Sequence, residues 1–187
     1  MRNTHTQQSP GRTPDVFDTM RADHRTVLER LLRLEADAER LAAGDARPGD
    51  EARVRAFVAH LEAQFGTHMC AEDELLYPAL ASALPDTRSS LAPLRGEHAE
   101  LRAMLAALRS TLDEPAGPAR NEQLAVQAKD LADLLRIHIR KEEAVVFAVA
   151  ERLLPPDELA ALGARLARTA VPDTTHTARP PRDTKEG

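Results

Sequence analysis

Four stretches of this chain carry apolar residues at alternating spacings of three and four, and every one of these stripes is interrupted by a histidine. The first reads Phe17, Met20, His24, Val27, Leu31, Leu34, and the second Val54, Val58, Leu61, Phe65, His68, Glu72, Leu75, Ala79. The third reads Leu91, Leu94, His98, Leu101, Leu105, Leu108, Leu112, and the fourth Leu124, Ala128, Leu131, Leu135, His138, Glu142, Val145, Val149. This spacing lays each set along one face of a helix, and four such faces bury themselves by closing on a common axis. Six polar groups then point into the core: four imidazoles and two carboxylates. An unpaired buried carboxylate costs several kcal/mol, and two side by side repel. A cation between them removes both penalties.

Breaker clusters separate the four segments. The first runs from about Asp15 to Ala43 and stops at Gly44, before the turn Arg47-Pro48-Gly49. The second runs from about Asp50 to Ala83, with a kink or early end expected at Pro78. The third starts near Ser89 or Ser90 and ends before Pro115, and the fourth extends from about Ala119 to Leu154, ahead of Pro155-Pro156. A fifth, shorter helix from about Asp157 to Ala170 offers Leu159, Leu162 and Leu166 to the bundle. The expected fold is all-α: an up-down-up-down four-helix bundle with a short fifth C-terminal helix, over residues 14–170. The polar, proline-bearing ends, 1–13 and 171–187, carry too little apolar surface to offset the entropy of ordering and read as tails.

Composition excludes several classes. A formal net charge of −5, with arginines scattered among acids, lacks the basic stripe of a nucleic-acid binder. No stretch approaches the about 18 apolar residues of a membrane span, and no apolar run near the N-terminus resembles a signal peptide. The single cysteine, Cys70, forms no intrachain disulfide. A soluble, cytoplasmic protein is expected.

The two carboxylates follow their histidines at a fixed distance, in His68-x3-Glu72 and His138-x3-Glu142. Residues at i and i+4 lie one above the other, about 6 Å apart along a helix axis. A histidine can then bind one metal while its glutamate reaches towards a second. The pattern is also duplicated. His68-x3-Glu72-Asp73-x3-Tyr77 parallels His138-x3-Glu142-Glu143-x3-Phe147, and Asp23-His24 parallels Glu97-His98. Two helical hairpins supplying equivalent half-sites predict two metals, each with two imidazoles, bridged by two carboxylates. Which histidines share a metal is left open. Mixed nitrogen and oxygen ligation with open positions suits iron first and manganese next, whereas zinc takes four ligands without a bridging pair.

The constellation resembles the hemerythrin-like, or HHE cation-binding, family over about residues 15–154. The resemblance implies that His24, His68, His98 and His138 are terminal iron ligands and that Glu72 and Glu142 bridge. Its cofactor would be two non-haem iron ions joined by an oxo or hydroxo bridge, and its ligand a small oxidant such as oxygen, peroxide or nitric oxide. Oxygen-carrying members place a second histidine one turn after the helix-three ligand, where this chain has Arg102, and a carboxylate five residues after the helix-four histidine, where it has Glu143. The lost imidazole favours redox turnover or sensing over reversible carriage. Weak peroxide- or nitric oxide-directed activity is one expectation; an iron store or sensor without turnover, or a metal-free interaction bundle, are the alternatives.

His60 and Glu143 are lesser candidates for the metal. His60 lies eight residues before His68, about 12 Å away along an unbroken helix, and reads as a flanking group. Tyr77 reads as a packed ring with a hydrogen-bonded hydroxyl. Asp73 and Glu143 stand evenly between orienting the ligands and facing solvent. Cys70 falls about 200° around the helix from His68 and reads as an inert thiol.

Overall fold

The computed structural model describes residues 16–169, so the sequence-expected tails lie outside the described residues. Helix α1 spans Val16–Ala43 and ends at Gly44, whose φ of 77° is the left-handed conformation that closes a helix without a Cβ penalty. Gly49 repeats that conformation at φ 87° just before α2. α2 begins as Asp50–Gln64, widens into π-turns at Phe65–Met69 and Glu72–Leu76, and closes as Tyr77–Ala83. α3 spans Arg88–Asp113, and α4 runs Pro118–Lys141, through a π-turn Glu142–Phe147, to Ala148–Leu153. α5 is Pro156–Thr169. Among the described residues there is no strand, and no helix is long and apolar enough to cross a membrane.

Pro78 does not end α2, which continues to Ala83. It sits in the first turn after the second π-turn, where its missing N–H is least costly. The Asp73 carbonyl behind it accepts a hydrogen bond from Arg95 at 3.0 Å.

α1 packs on α2 and α4, and α3 packs on the same two helices, closing a ring. One end of the ring gathers the end of α1, the start of α2, the end of α3 and the start of α4. There Asn121 donates to the Leu41 carbonyl at 3.1 Å, while Arg120 donates to the Thr111 and Leu112 carbonyls and reaches Glu51 at 3.0 Å. At the same end Asp37 and Asp50 are buried, each held by Arg40 and Arg53. The opposite end gathers Phe17, Tyr77, Leu91 and Phe147, with Leu162 of α5 laid over them and Leu159 and Leu166 partly buried beside it.

Two apolar clusters fill the interior, one from Val27 to Ile139 and one from Val16 to Leu162. The expected stripes of α1 and α3 are buried throughout. Those of α2 and α4 drift after their glutamates. Val145 is 59% exposed, and Leu75, Ala79 and Val149 are only partly covered. Leu76, Tyr77 and Leu80 in α2, and Val146, Phe147 and Ala150 in α4, take the core positions instead. The cause is the π-turn, which adds one residue to a turn and advances everything beyond it by one position.

Candidate metal centre

Between the two apolar clusters lies one polar layer. His24 comes from α1, His68 and Glu72 from α2, His98 from α3, and His138 and Glu142 from α4. All except His68 are fully buried, and His68 is nearly so. The four rings turn their Nε2 atoms inward in two pairs. His24 and His68 approach to 3.1 Å, and His98 and His138 to 3.0 Å.

Each glutamate spans both pairs. Glu72 lies 3.1 Å from His68 Nε2 and 3.5 Å from His98 Nε2. Glu142 lies 3.2 Å from His138 Nε2 and 3.5 Å from His24 Nε2. Two groups result, each able to hold a metal ion: His24, His68, Glu72 and Glu142, and His98, His138, Glu72 and Glu142. They share both carboxylates. The pairing left open by the sequence is thus visible in the geometry: helices one and two supply one half, helices three and four the other.

The outward nitrogens are held as well. Asp23 lies 3.4 Å from His68 Nδ1, Asp73 3.0 Å from His98, Glu97 3.0 Å from His138 and Glu143 3.1 Å from His24. In three cases the carboxylate comes from the preceding helix, and for His24 on α1 it comes from α4, which closes the ring; each carboxylate directly follows or precedes an inward-facing residue of its own helix. A carboxylate can only accept, so each Nδ1 donates, and in the neutral ring Nε2 is the nitrogen left free to bind a cation at the centre. Asp73 and Glu143 therefore orient imidazoles. Glu143 faces the outer edge of His24, and neither Glu143 nor His60 belongs to a metal-capable group. The orienting roles of Asp23 and Glu97 were not foreseen, although an acid adjoining an inward residue on all four helices was the available signal. Arg102 reaches Asp73 at 3.5 Å, and so supports the carboxylate that orients His98.

Aromatic rings close the layer on the α5 side. Phe147 stacks on His24 at 5.6 Å and Tyr77 on His98 at 5.7 Å, as the sequence duplication implies. The Tyr77 hydroxyl donates to Glu142 Oε1 at 2.7 Å. Phe147 has no hydroxyl to offer Glu72, so the halves differ.

The two glutamates differ in charge as well. Burial and the neighbouring Glu142 push the Glu72 carboxyl up. Burial acts on Glu142 in the same direction, but hydrogen bonds from His138 and His98 outweigh it and hold that carboxyl well below its ordinary range. His24 is pushed down by burial and by the charge of His68. Burial opposes the charge on His68 too, yet Glu72 and Asp23 overcome it and raise that ring to about 10. Tyr77 is raised by burial and by both glutamates.

The donor set fits a cation. Both Glu72 oxygens and Glu142 Oε2 are buried without a hydrogen-bond partner. Four inward Nε2 atoms and these three carboxylate oxygens converge on the same small volume. A cavity of about 30 Å³ lies beside His24 and His68, large enough for a water or a small ligand.

Comparison with known proteins yields one family match. The model of the hemerythrin HHE cation binding domain matches residues 15–150. No curated protein matches the chain.

Proposed function

The chain belongs to the hemerythrin HHE cation-binding family, and from that premise we propose that it is a non-haem di-iron protein that binds or reacts with a small oxidant: oxygen, peroxide or nitric oxide. His24 and His68 would hold one iron, His98 and His138 the other, with Glu72 and Glu142 bridging. The observation that carries this reading is the trio of buried carboxylate oxygens without a hydrogen-bond partner, set among four inward Nε2 atoms. The mixture of imidazole and carboxylate suits iron, then manganese.

Bound iron would supply open coordination positions and a reversible one-electron change. The chain's own residues prepare for it. Asp23, Asp73, Glu97 and Glu143 lock the tautomer and tilt of each ring, so little reorganisation is needed on binding. Tyr77 fixes the rotamer of Glu142. The apolar clusters on either side keep bulk water from the carboxylates and so strengthen every charge interaction within the layer. The ends of α1 and α3 meeting the starts of α2 and α4 support up-down-up-down connectivity. The cytoplasm is the proposed place of action, in keeping with a lone cysteine.

Metal analysis with an absorption spectrum tests the reading, on protein from iron-supplemented cells purified in air. Two irons per chain, one for each metal-capable group, and a near-ultraviolet oxo-to-iron band are expected. No iron after anaerobic reconstitution of a folded helical protein would refute it.

A further inference from the structure

Beside the apolar contact of α1 with α2, the outer edge of their seam carries a line of polar side chains. Asp23 faces His68, Arg30 acts on His60 through its charge, and Arg53 pairs with Asp37 at 2.8 Å. Val27 and Gln64 line the small cavity together. On α2 the row Arg53, His60, Gln64, His68 repeats at close to whole turns, so these side chains stand above one another against α1. At the outer end of the row a second cavity, about 170 Å³, is lined by Arg30, Arg33, Leu34, Asp37, Arg53 and Phe57. At the inner end is the cavity beside His24 and His68.

Two buried polar atoms on this row have no hydrogen-bond partner: Gln64 Oε1, whose side chain lines the inner cavity, and His60 Nε2, one turn before it towards the outer cavity. A buried polar atom left unsatisfied is destabilising, a penalty relieved when a water or a polar ligand supplies the bond. Burial and the Arg30 guanidinium hold His60 below the ordinary imidazole value, against the pull of Asp23. The ring is therefore neutral near pH 7, with one nitrogen free to accept a proton or a hydrogen bond.

We infer that this seam is a hydrated entrance to the centre, in which His60 and Gln64 hydrogen-bond water and pass a hydrogen-bonding ligand, of the hydrogen peroxide class, to the cavity beside His24 and His68. Hydrogen peroxide donates two hydrogen bonds and accepts others, so it can replace water at each polar atom in turn. Nitric oxide, a weakly polar diatomic, gains little from such a lining. The hydrated seam stands on the side chains alone; delivery of peroxide rests on the di-iron reading.

The test has two arms. In the metal-free protein, magnetisation transfer from water to the Gln64 amide protons and the His60 ring is measured by NMR. Long-lived water at both side chains is expected, and none at either would overturn the entrance. In the iron-loaded protein, stopped-flow rates with hydrogen peroxide and with nitric oxide are compared for wild type, Gln64→Leu and His60→Leu. Loss of one hydrogen bond along the path is expected to slow peroxide by about tenfold and leave nitric oxide within about twofold. Equal slowing of both probes would mean a blocked path, and no change would mean another route; either overturns the inference. A chain that takes up no iron would remove the di-iron reading and peroxide delivery with it, while the NMR arm would still decide whether the seam is hydrated.

Discussion

The two glutamates of the polar layer should respond oppositely to loss of charge when no metal is present. Glu72 is fully buried, neither of its oxygens has a hydrogen-bond partner, and Glu142 repels it. Glu72→Gln keeps the shape and removes the charge. An unsatisfied buried polar group costs about 1–3 kcal/mol, and the charged His68 at 3.1 Å returns part of the larger cost of the anion. A net relief of about 2 kcal/mol, at about 2–4 °C per kcal/mol for a chain of this length, raises Tm by about 4–8 °C. Glu142 is the reverse case. Hydrogen bonds from His138, His98 and Tyr77 make its charged form the favoured one. Glu142→Gln gives up charge-assisted bonds worth about 1.5–3 kcal/mol, and Tm should fall by about 3–12 °C. Iron reverses the first sign, because the folded state is then stabilised by ligands that either variant lacks. Thermal melts followed by circular dichroism, with and without iron, measure all four shifts. Parallel shifts of the two metal-free variants would refute the asymmetry between the two glutamates. A loaded Glu72→Gln protein more stable than loaded wild type would refute the metal-binding role of Glu72.

Two further outcomes concern regions away from the layer. Side-chain bonds from Arg40 and the Arg47 backbone N–H lower Asp50 to about 2. Since its folded value is below its unfolded one, its contribution is complete above about pH 4 and is lost as pH falls towards 2. Asp50→Asn should flatten the acid limb of a circular dichroism titration in that window, and an unchanged limb would contradict this. Gly96 lies exposed inside α3 with nothing within 4 Å of a Cβ placed there. Gly96→Ala should stabilise by about 1 kcal/mol and raise Tm by about 2–4 °C, whereas a fall would indicate a contact that the structure does not contain.

Helix existence, helix ends and the six inward polar residues were legible because they depend on short-range periodicity and on the identity of breakers. His24 and His98 stood out for a simple reason: nothing else polar occupies their stripes. Less legible was everything set by the register between helices. The bonds from Asp23 to His68 and from Glu97 to His138 cross from one helix to the next, and spacing within a single helix does not encode them. The burial of Asp37 and Asp50 is similar. Each is an acid that ordinary patterning assigns to solvent, and it is buried only because arginines from both α1 and α2 converge on it. Periodicity itself also misled beyond Glu72 and Glu142, where a residue count that assumes 3.6 per turn is wrong by one.

That one-residue error has a physical consequence that can be isolated. Relative to Glu142, a regular helix would bring residues three, four and seven positions on towards the axis; the structure buries Val146, Phe147 and Ala150, which are four, five and eight on. The extra residue resides in the turn Glu142–Phe147, and Ala144 is one of its two exposed members, with Val145. Deleting a residue from the middle of a helix ordinarily rotates all that follows by about 100° and turns the core side chains out. Deleting Ala144 should instead convert the π-turn to α-helix and leave Phe147 stacked on His24, because the following residues already occupy the phase that a regular helix requires. Deletion of the similarly exposed Glu100 in α3, where there is no π-turn, provides the contrast: Leu101, Leu105 and Leu108 would leave the core at a cost of several kcal/mol. The Ala144 deletion should therefore melt cooperatively and above the Glu100 deletion. If both proteins fail to fold alike, the π-turn is not the source of the phase shift. If the Ala144 deletion folds but loses iron while Glu72→Gln retains it, the wide turn serves Glu142's reach to the metal more than it serves the packing of the helix beyond.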